Sequence, residues 1–166
     1  MINIVSAGCG LLADIVDTAT RSRMMAGIRG KDTGPELFLR KGLHARGFRF
    51  RLHDRKLPGR PDLVFVRRKA VIFVHGCFWH GHDCNLFRWP STREAFWQQK
   101  ILSNRERDAR ATAELLTAGW RVLTVWECAL KGRFRLAPDQ ALEEVSAWLL
   151  SDSSSGELRG AANGDC

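Results

Sequence analysis

Several absences narrow the class of this 166-residue chain before any motif is read. No apolar run approaches the roughly 20 residues that cross a bilayer, so no membrane-spanning helix is expected. Residues 1–12 are mildly apolar but have no basic stretch ahead of them, and they do not read as a secretion signal. There is no internal repeat, so the chain reads as one unit rather than an array. Acidic residues are in short supply: 18 Asp and Glu stand against 26 Lys and Arg, for a net charge of +8 and a pI of about 9.8. That deficit favours a polyanionic partner such as nucleic acid. Without secretion a reducing cytoplasm is expected, and the five cysteines then read as free thiols or metal ligands rather than disulfides. The length is enough to bury a core without such staples.

What is present is an alternation of strand and helix signals. Residues 1–16 read as an N-terminal tail. Residues 151–166, rich in Ser, Gly and Ala, read as a disordered C-terminal tail. Between them lies one domain, 17–150. Residues 21–29 look like a short basic helix. Asp32-Thr33 followed by Pro35 and Glu36 starts a helix, which should stop near Gly47. Phe48, Phe50 and Leu52 alternate with Arg49, Arg51 and His53, predicting a half-buried strand. Residues 62–66 and 70–75 read as adjacent buried strands joined by an Arg67-Arg68-Lys69 turn. Residues 93–118 are a long polar helix, 120–126 a strand and 139–150 a final helix. The expected fold class is α/β: a mixed central sheet flanked by helices, with a parallel pair across the long helix.

The most informative segment runs from His75 to Cys84 and holds three of the five histidines and two of the cysteines. Cys77, His82 and Cys84 fall in one loop, and Cys128 closes the next strand, where it could return to the same point. Zinc in structural sites takes four N/S ligands in a tetrahedron, so a Cys3His set is a suitable composition. A buried Cys beside a His-rich loop with no metal is the alternative.

Asp62 enters a hydrophobic strand, which is costly unless the carboxylate is paired, capping or metal-bound. Its Pro-Asp context, with Glu36 on an upstream helix, is similar to the nuclease core in which one Asp and a second Asp/Glu-x-Lys hold Mg²⁺ on adjacent strands. Here Phe73-Val74-His75 occupies the second place, with neither carboxylate nor lysine. A loop-end Asp making local hydrogen bonds is the plainer reading.

A wider set of residues carries a specific resemblance. The segments Leu57-Pro-Gly-Arg-Pro-Asp62 and Val71-Ile-Phe-Val-His-Gly-Cys-Phe-Trp-His80 come first. Cys84, Phe96-Trp97, Asn104-x-x-x-Asp108 and Gly119-Trp-Arg-Val-Leu-x-Val-Trp-Glu-Cys128 follow. Together, over 17–150, the chain resembles the very short patch repair (Vsr) endonucleases. The resemblance implies a restriction-endonuclease-like fold with Phe-x-His in place of acid-x-Lys. It implies an Mg²⁺-dependent nick on the 5′ side of the T in a T:G mismatch left by deamination of 5-methylcytosine. It places Mg²⁺ on Asp62 and on the main-chain carbonyl of Val74, where the family often has Thr. It makes His80 the general base, Asp108 a supporting acid, and His75 and Glu36 groups that position water. It assigns structural zinc to Cys77, His82, Cys84 and Cys128. Phe78, Trp79 and Trp97 become DNA-wedging aromatics, and Met25 and Ile28, with Met24, a minor-groove wedge. For Trp97, helical spacing from Ile101 equally fits a core residue, and the Met24–Ile28 face fits a plain amphipathic helix. The implied partner is double-stranded DNA with a T:G mismatch, with mismatch-repair proteins as candidate helpers; the chain is expected to act as a monomer in the cytoplasm.

Two other readings fit parts of the pattern. One is a restriction-type endonuclease without a mismatch requirement, against which the Phe78-Trp79 pair between metal ligands speaks. The other is a non-catalytic zinc-dependent DNA-binding module, which has no use for Asp62 beside Glu36, His75 and His80.

Overall fold

The computed structural model describes residue 20 and residues 32–161. The chain divides into two compact units, Met1–Gly30 and Lys31–Cys166, and the architecture below is that of the second. The expected N-terminal tail, the basic helix at 21–29, Met24, Met25 and Ile28 lie outside the described residues.

Helix α1 spans Gly34–Ala45 and begins as its sequence dictates. The Thr33 hydroxyl accepts the Glu36 N–H at 3.4 Å, and Pro35 sits in the first turn, where its missing N–H costs nothing. The chain leaves the helix through Gly47 at φ 86°. Leu39 and Leu43, one turn apart, are fully buried.

Strand β1 is only Arg51–Leu52, shorter than the alternation over 48–53 suggests. Phe48 and Phe50 still turn inward, packing on Phe65 with ring centroids 6.2 and 5.4 Å away. His53, however, adopts φ 48°, a left-handed conformation that a strand cannot continue through. Leu52 is consequently 44% exposed rather than facing the core.

Strands β2 (Leu63–Phe65) and β3 (Ala70–His75) form a hairpin around a 3-10 turn, Val66–Arg68. Helix α2 (Glu94–Thr117) crosses over to β4 (Arg121–Trp126). The short helix α3 (Glu127–Leu130), helix α4 (Pro138–Leu150) and strand β5 (Ser155–Leu158) complete the unit. The sheet order is β1-β2-β3-β4-β5; β1–β2 and β2–β3 pair antiparallel, β3–β4 and β4–β5 parallel. This is the expected mixed sheet with a parallel pair across the long helix.

Alternate residues of the central strands serve opposite faces. Leu63, Ile72 and Leu123 join Leu39 and Leu43 of α1 and Val145 of α4 in one cluster; Val64, Val71 and Val122 join Leu115 of α2 in another. The sheet is therefore sandwiched between α1 with α4 and α2. No described helix is long and apolar enough to cross a membrane.

One expectation needs correction. Composition predicts a disordered tail over 151–166, but 155–158 add a fifth strand to the sheet, with Val122↔Ser155 and Val125↔Leu158 in register. Leu158 is 6% exposed. The segment is ordered by main-chain hydrogen bonding to β4 and by one buried leucine, a pattern too sparse in apolar residues to read as a strand.

Candidate active site and metal centre

Pro61-Asp62 leads into β2, and the Asp62 carboxylate turns toward β3, where its Oδ2 accepts the Val74 N–H at 2.7 Å. Burial, the largest influence, lifts the Asp62 carboxyl to about 6; the Val74 N–H opposes the rise and the nearby Glu36 charge adds to it. A half-buried carboxylate held at that cost beside a second acid is suited to a cation. Asp62 and Val74, the two residues expected around Mg²⁺, thus meet through the Val74 N–H rather than its carbonyl.

Glu36 is 2% exposed on the first turn of α1. Its oxygens meet the Arg40 guanidinium one turn on, the Asp32 N–H at 2.8 Å, and His53 Nε2 at 3.1 Å. His53 Nδ1 lies 3.6 Å from Asp62 Oδ1, so this ring stands between the two acids. Neither Arg40 nor His53 was expected at the site. The i, i+4 spacing of Glu36 and Arg40 was a usable signal; His53 had none, since strand alternation placed it outward.

The residue after Val74 carries the second half of the site. His75, at the end of β3, stacks on His80, with centroids 3.9 Å apart and planes within 4°. His80 Nδ1 is hydrogen-bonded to Asp108 of α2. Burial and the adjacent His80 push His75 down to about 3, so it is neutral at physiological pH. Burial works against the charge on Asp108, but His80, with His75 and Arg107, holds its carboxyl below the usual carboxylate range. His75, His80 and Asp108 therefore form one cluster on the face of the sheet covered by α2.

The third cluster is Cys77, His82, Cys84 and Cys128, whose ligand atoms all lie within 4.8 Å of one another. Cys77 Sγ and Cys128 Sγ stand 3.6 and 3.5 Å from His82 Nδ1. A tetrahedral zinc with ordinary Zn–S and Zn–N bonds has S···N edges of about 3.6 Å. Burial pushes the Cys77 and Cys128 thiols up. Burial and Arg159 push His82 down, leaving the neutral ring that ligates. A dication reverses the thiol cost by taking up thiolates directly. The donor set fits zinc in number, type and spacing.

Immediately after Cys77, Phe78 and Trp79 are half-buried and meet Trp97 of α2 at centroid distances of 5.2 and 6.0 Å. The three expected wedge aromatics are thus one cluster. The cluster extends beyond them: Phe87 lies 6.3 Å from Phe78, Trp89 lies 5.0 Å from Phe87, and Phe96 lies 5.3 Å from Trp97. Trp89 and Phe96 are 50% and 46% exposed.

Comparison with known proteins decides the relationship. The family model described as DNA mismatch endonuclease Vsr matches residues 13–86. The DNA mismatch endonuclease Vsr of Escherichia coli (strain K12) is 46% identical over 147 residues, 89% of this chain and 94% of that protein. The chain belongs to the Vsr family. The fold is accordingly of the restriction-endonuclease-like type that this family has. Two further relatives are named as nicking enzymes. The type II nicking enzyme V.XorIIP of Xanthomonas oryzae pv. oryzae is 48% identical over 119 residues, 72% of this chain and 88% of that one. The type II nicking enzyme V.NmeAIP of Neisseria meningitidis is 44% identical over 122 residues, 74% and 87% of the two chains.

Proposed function

We propose that this Vsr-family chain is a DNA endonuclease that nicks one strand of a duplex on the 5′ side of the T in a T:G mismatch. Such mismatches arise by deamination of 5-methylcytosine. The observation that carries the reading is the succession on β3: Val74 contacts the half-buried Asp62 carboxylate, and the next residue joins His80 and Asp108. In this reading Asp62 and the Val74 carbonyl would hold Mg²⁺, which would supply charge neutralisation on the phosphate and a polarised water.

The chain's own groups supply the rest. Asp108 fixes His80 through Nδ1, leaving Nε2 to accept a proton from the attacking water. His75 stays neutral against the His80 ring and keeps it in place. Glu36, held by Arg40 and His53, orients water near Asp62. Zinc on Cys77, His82, Cys84 and Cys128 would fix the loop that presents Phe78 and Trp79. Those rings, with Trp97, wedge into the base stack where pairing is weak and unstacking is cheapest. The basic surface supplies sequence-independent phosphate contacts.

The test is direct. Labelled matched and T:G duplexes are incubated with the protein, with and without Mg²⁺. A single nick 5′ to the mismatched T, only with the metal, is the expected result. Equal cutting of the matched duplex supports a restriction-type enzyme instead, and no cutting with retained binding supports a DNA-binding module.

A further inference from the structure

The last described residues do more than extend the sheet, because three of them touch the Cys77–Cys128 metal centre or its support. The Gly160 N–H donates to Cys128 Sγ at 3.4 Å. The Arg159 guanidinium donates to the carbonyl of Asp83, which lies between His82 and Cys84, at 3.0 Å. Glu157 accepts a hydrogen bond from the indole N–H of Trp126. Trp126 in turn lies flat on His82, centroids 4.0 Å apart and planes within 10°, and meets His75 edge-on at 5.4 Å.

We propose that residues 155–161 are a clasp on the metal centre. In it the Gly160 N–H steadies the Cys128 sulfur, Arg159 holds the ligand loop, and Glu157, through Trp126, orients the His82 ring. These are positioning residues, since none of them supplies a ligand atom. Their chemistry suits the task. An N–H directed at a metal-bound thiolate offsets its negative charge and fixes its direction. Groups behind the ligands are known to set metal affinity as well as geometry. Gly160 is also required by space. A Cβ there would stand 2.6 Å from the Cys128 carbonyl oxygen and 2.8 Å from that of Phe134, both backbone atoms that cannot swing aside. The Ala161 N–H, donating to the Phe134 carbonyl at 2.9 Å, closes the far end of the clasp. Because Trp126 touches both His82 and His75, the clasp also sets the wall between the metal centre and the histidine pair.

This inference rests on the zinc reading above, and the experiment separates the two. Zinc content of the full chain is measured first, then zinc affinity by competition with a chromophoric chelator. The same is done for Gly160→Ala, Glu157→Ala, Glu157→Gln and Val145→Ala. The Gln side chain can still accept from the indole, and Val145 lies in the α4 core as a control for lost stability alone. The d–d spectrum of cobalt-substituted protein reports ligand geometry independently of nicking. Gly160→Ala keeps the N–H but its Cβ pushes it away from Cys128, and it is expected to weaken zinc binding about 10–100-fold, the usual effect of disturbing such a support. It should also alter the cobalt spectrum. Glu157→Ala should do so to a lesser degree, and Glu157→Gln should restore parental behaviour. Zinc affinity within about twofold of the parent for Gly160→Ala and Glu157→Ala would overturn the clasp, as would an equal loss in Val145→Ala. A parent chain that holds no metal would overturn the zinc reading and the clasp together.

Discussion

His80 and Asp108 are joined by a side-chain hydrogen bond across 28 positions of sequence, from the loop after β3 to the middle of α2. An ionised Asp108 requires the proton on His80 Nδ1 and so leaves Nε2 as the acceptor. In the proposed mechanism Asp108 holds that tautomer. Asp108→Asn can leave the ring in the wrong tautomer. Its nicking rate under single-turnover conditions should fall by about 10²–10⁴-fold, the range of a general-base contribution. Binding to mismatched duplex should be unchanged. A nicking rate near that of the parent would remove Asp108 from the mechanism.

Asp62 is held ionised at a cost, and the sign of that cost can be worked out. Its folded pKa of about 6 lies above the ordinary 3.8. Between those values the folded state binds more protons than the unfolded one, so stability falls as pH rises. Above about 6 the full penalty is present. Asp62→Asn should therefore be more stable than the parent at pH 7.5 without Mg²⁺, by on the order of 2 kcal/mol. The gain should shrink toward pH 4. The same variant should not nick, because an amide is a poor Mg²⁺ ligand. Thermal melts across pH check the first outcome; a less stable variant at pH 7.5 contradicts it.

Cys128 joins the ligand loop from 46 residues beyond His82. Cys128→Ser should lose zinc and, with it, much of the folding free energy, because binding at a structural site is folding energy. Elemental analysis and melting temperature together report this. Zinc should also leave the parent chain as pH falls, since thiolate ligands take up protons. Full zinc occupancy in Cys128→Ser would show that the fourth ligand is another group.

Phe78 and Trp79 lie between Cys77 and His82 and pack on Trp97. Removing either ring should weaken binding to T:G duplex by about tenfold, as stacking of about 1–3 kcal/mol per base is lost. Binding to matched duplex should change less, because there the cost of unstacking offsets more of the stacking gain. Both affinities must be read at one salt concentration. Retention of the full T:G preference by both alanine variants would make the two rings packing residues. Zinc content should be unaffected, since the flanking ligands remain.

The sequence by itself determined the elements whose signals are local. The Thr33 cap and Pro35 set the start of α1, the apolar run 70–75 is β3, and the long polar stretch ending at Gly119 is α2. Asp62 and the His75–Cys84 loop stood out because buried acids and clustered soft ligands are chemically unusual wherever they occur. Other features were decided only by tertiary structure. His53 reaches the acids through a left-handed turn that alternation does not show. Phe87 and Trp89 join the aromatic cluster only because the loop after the ligand segment folds back to set Phe87 beside Phe78. The 155–161 segment is the clearest case. Its Ser, Gly and single leucine carry almost no hydropathy signal, and they read as tail for that reason. Yet Gly156 is small because a Cβ there would meet the Trp148 ring nitrogen at 2.7 Å, and Gly160 because two carbonyls crowd it. Composition records that a residue is small. Only the packed chain shows whether that smallness reflects freedom or close approach, because the neighbour that demands it lies far away in sequence.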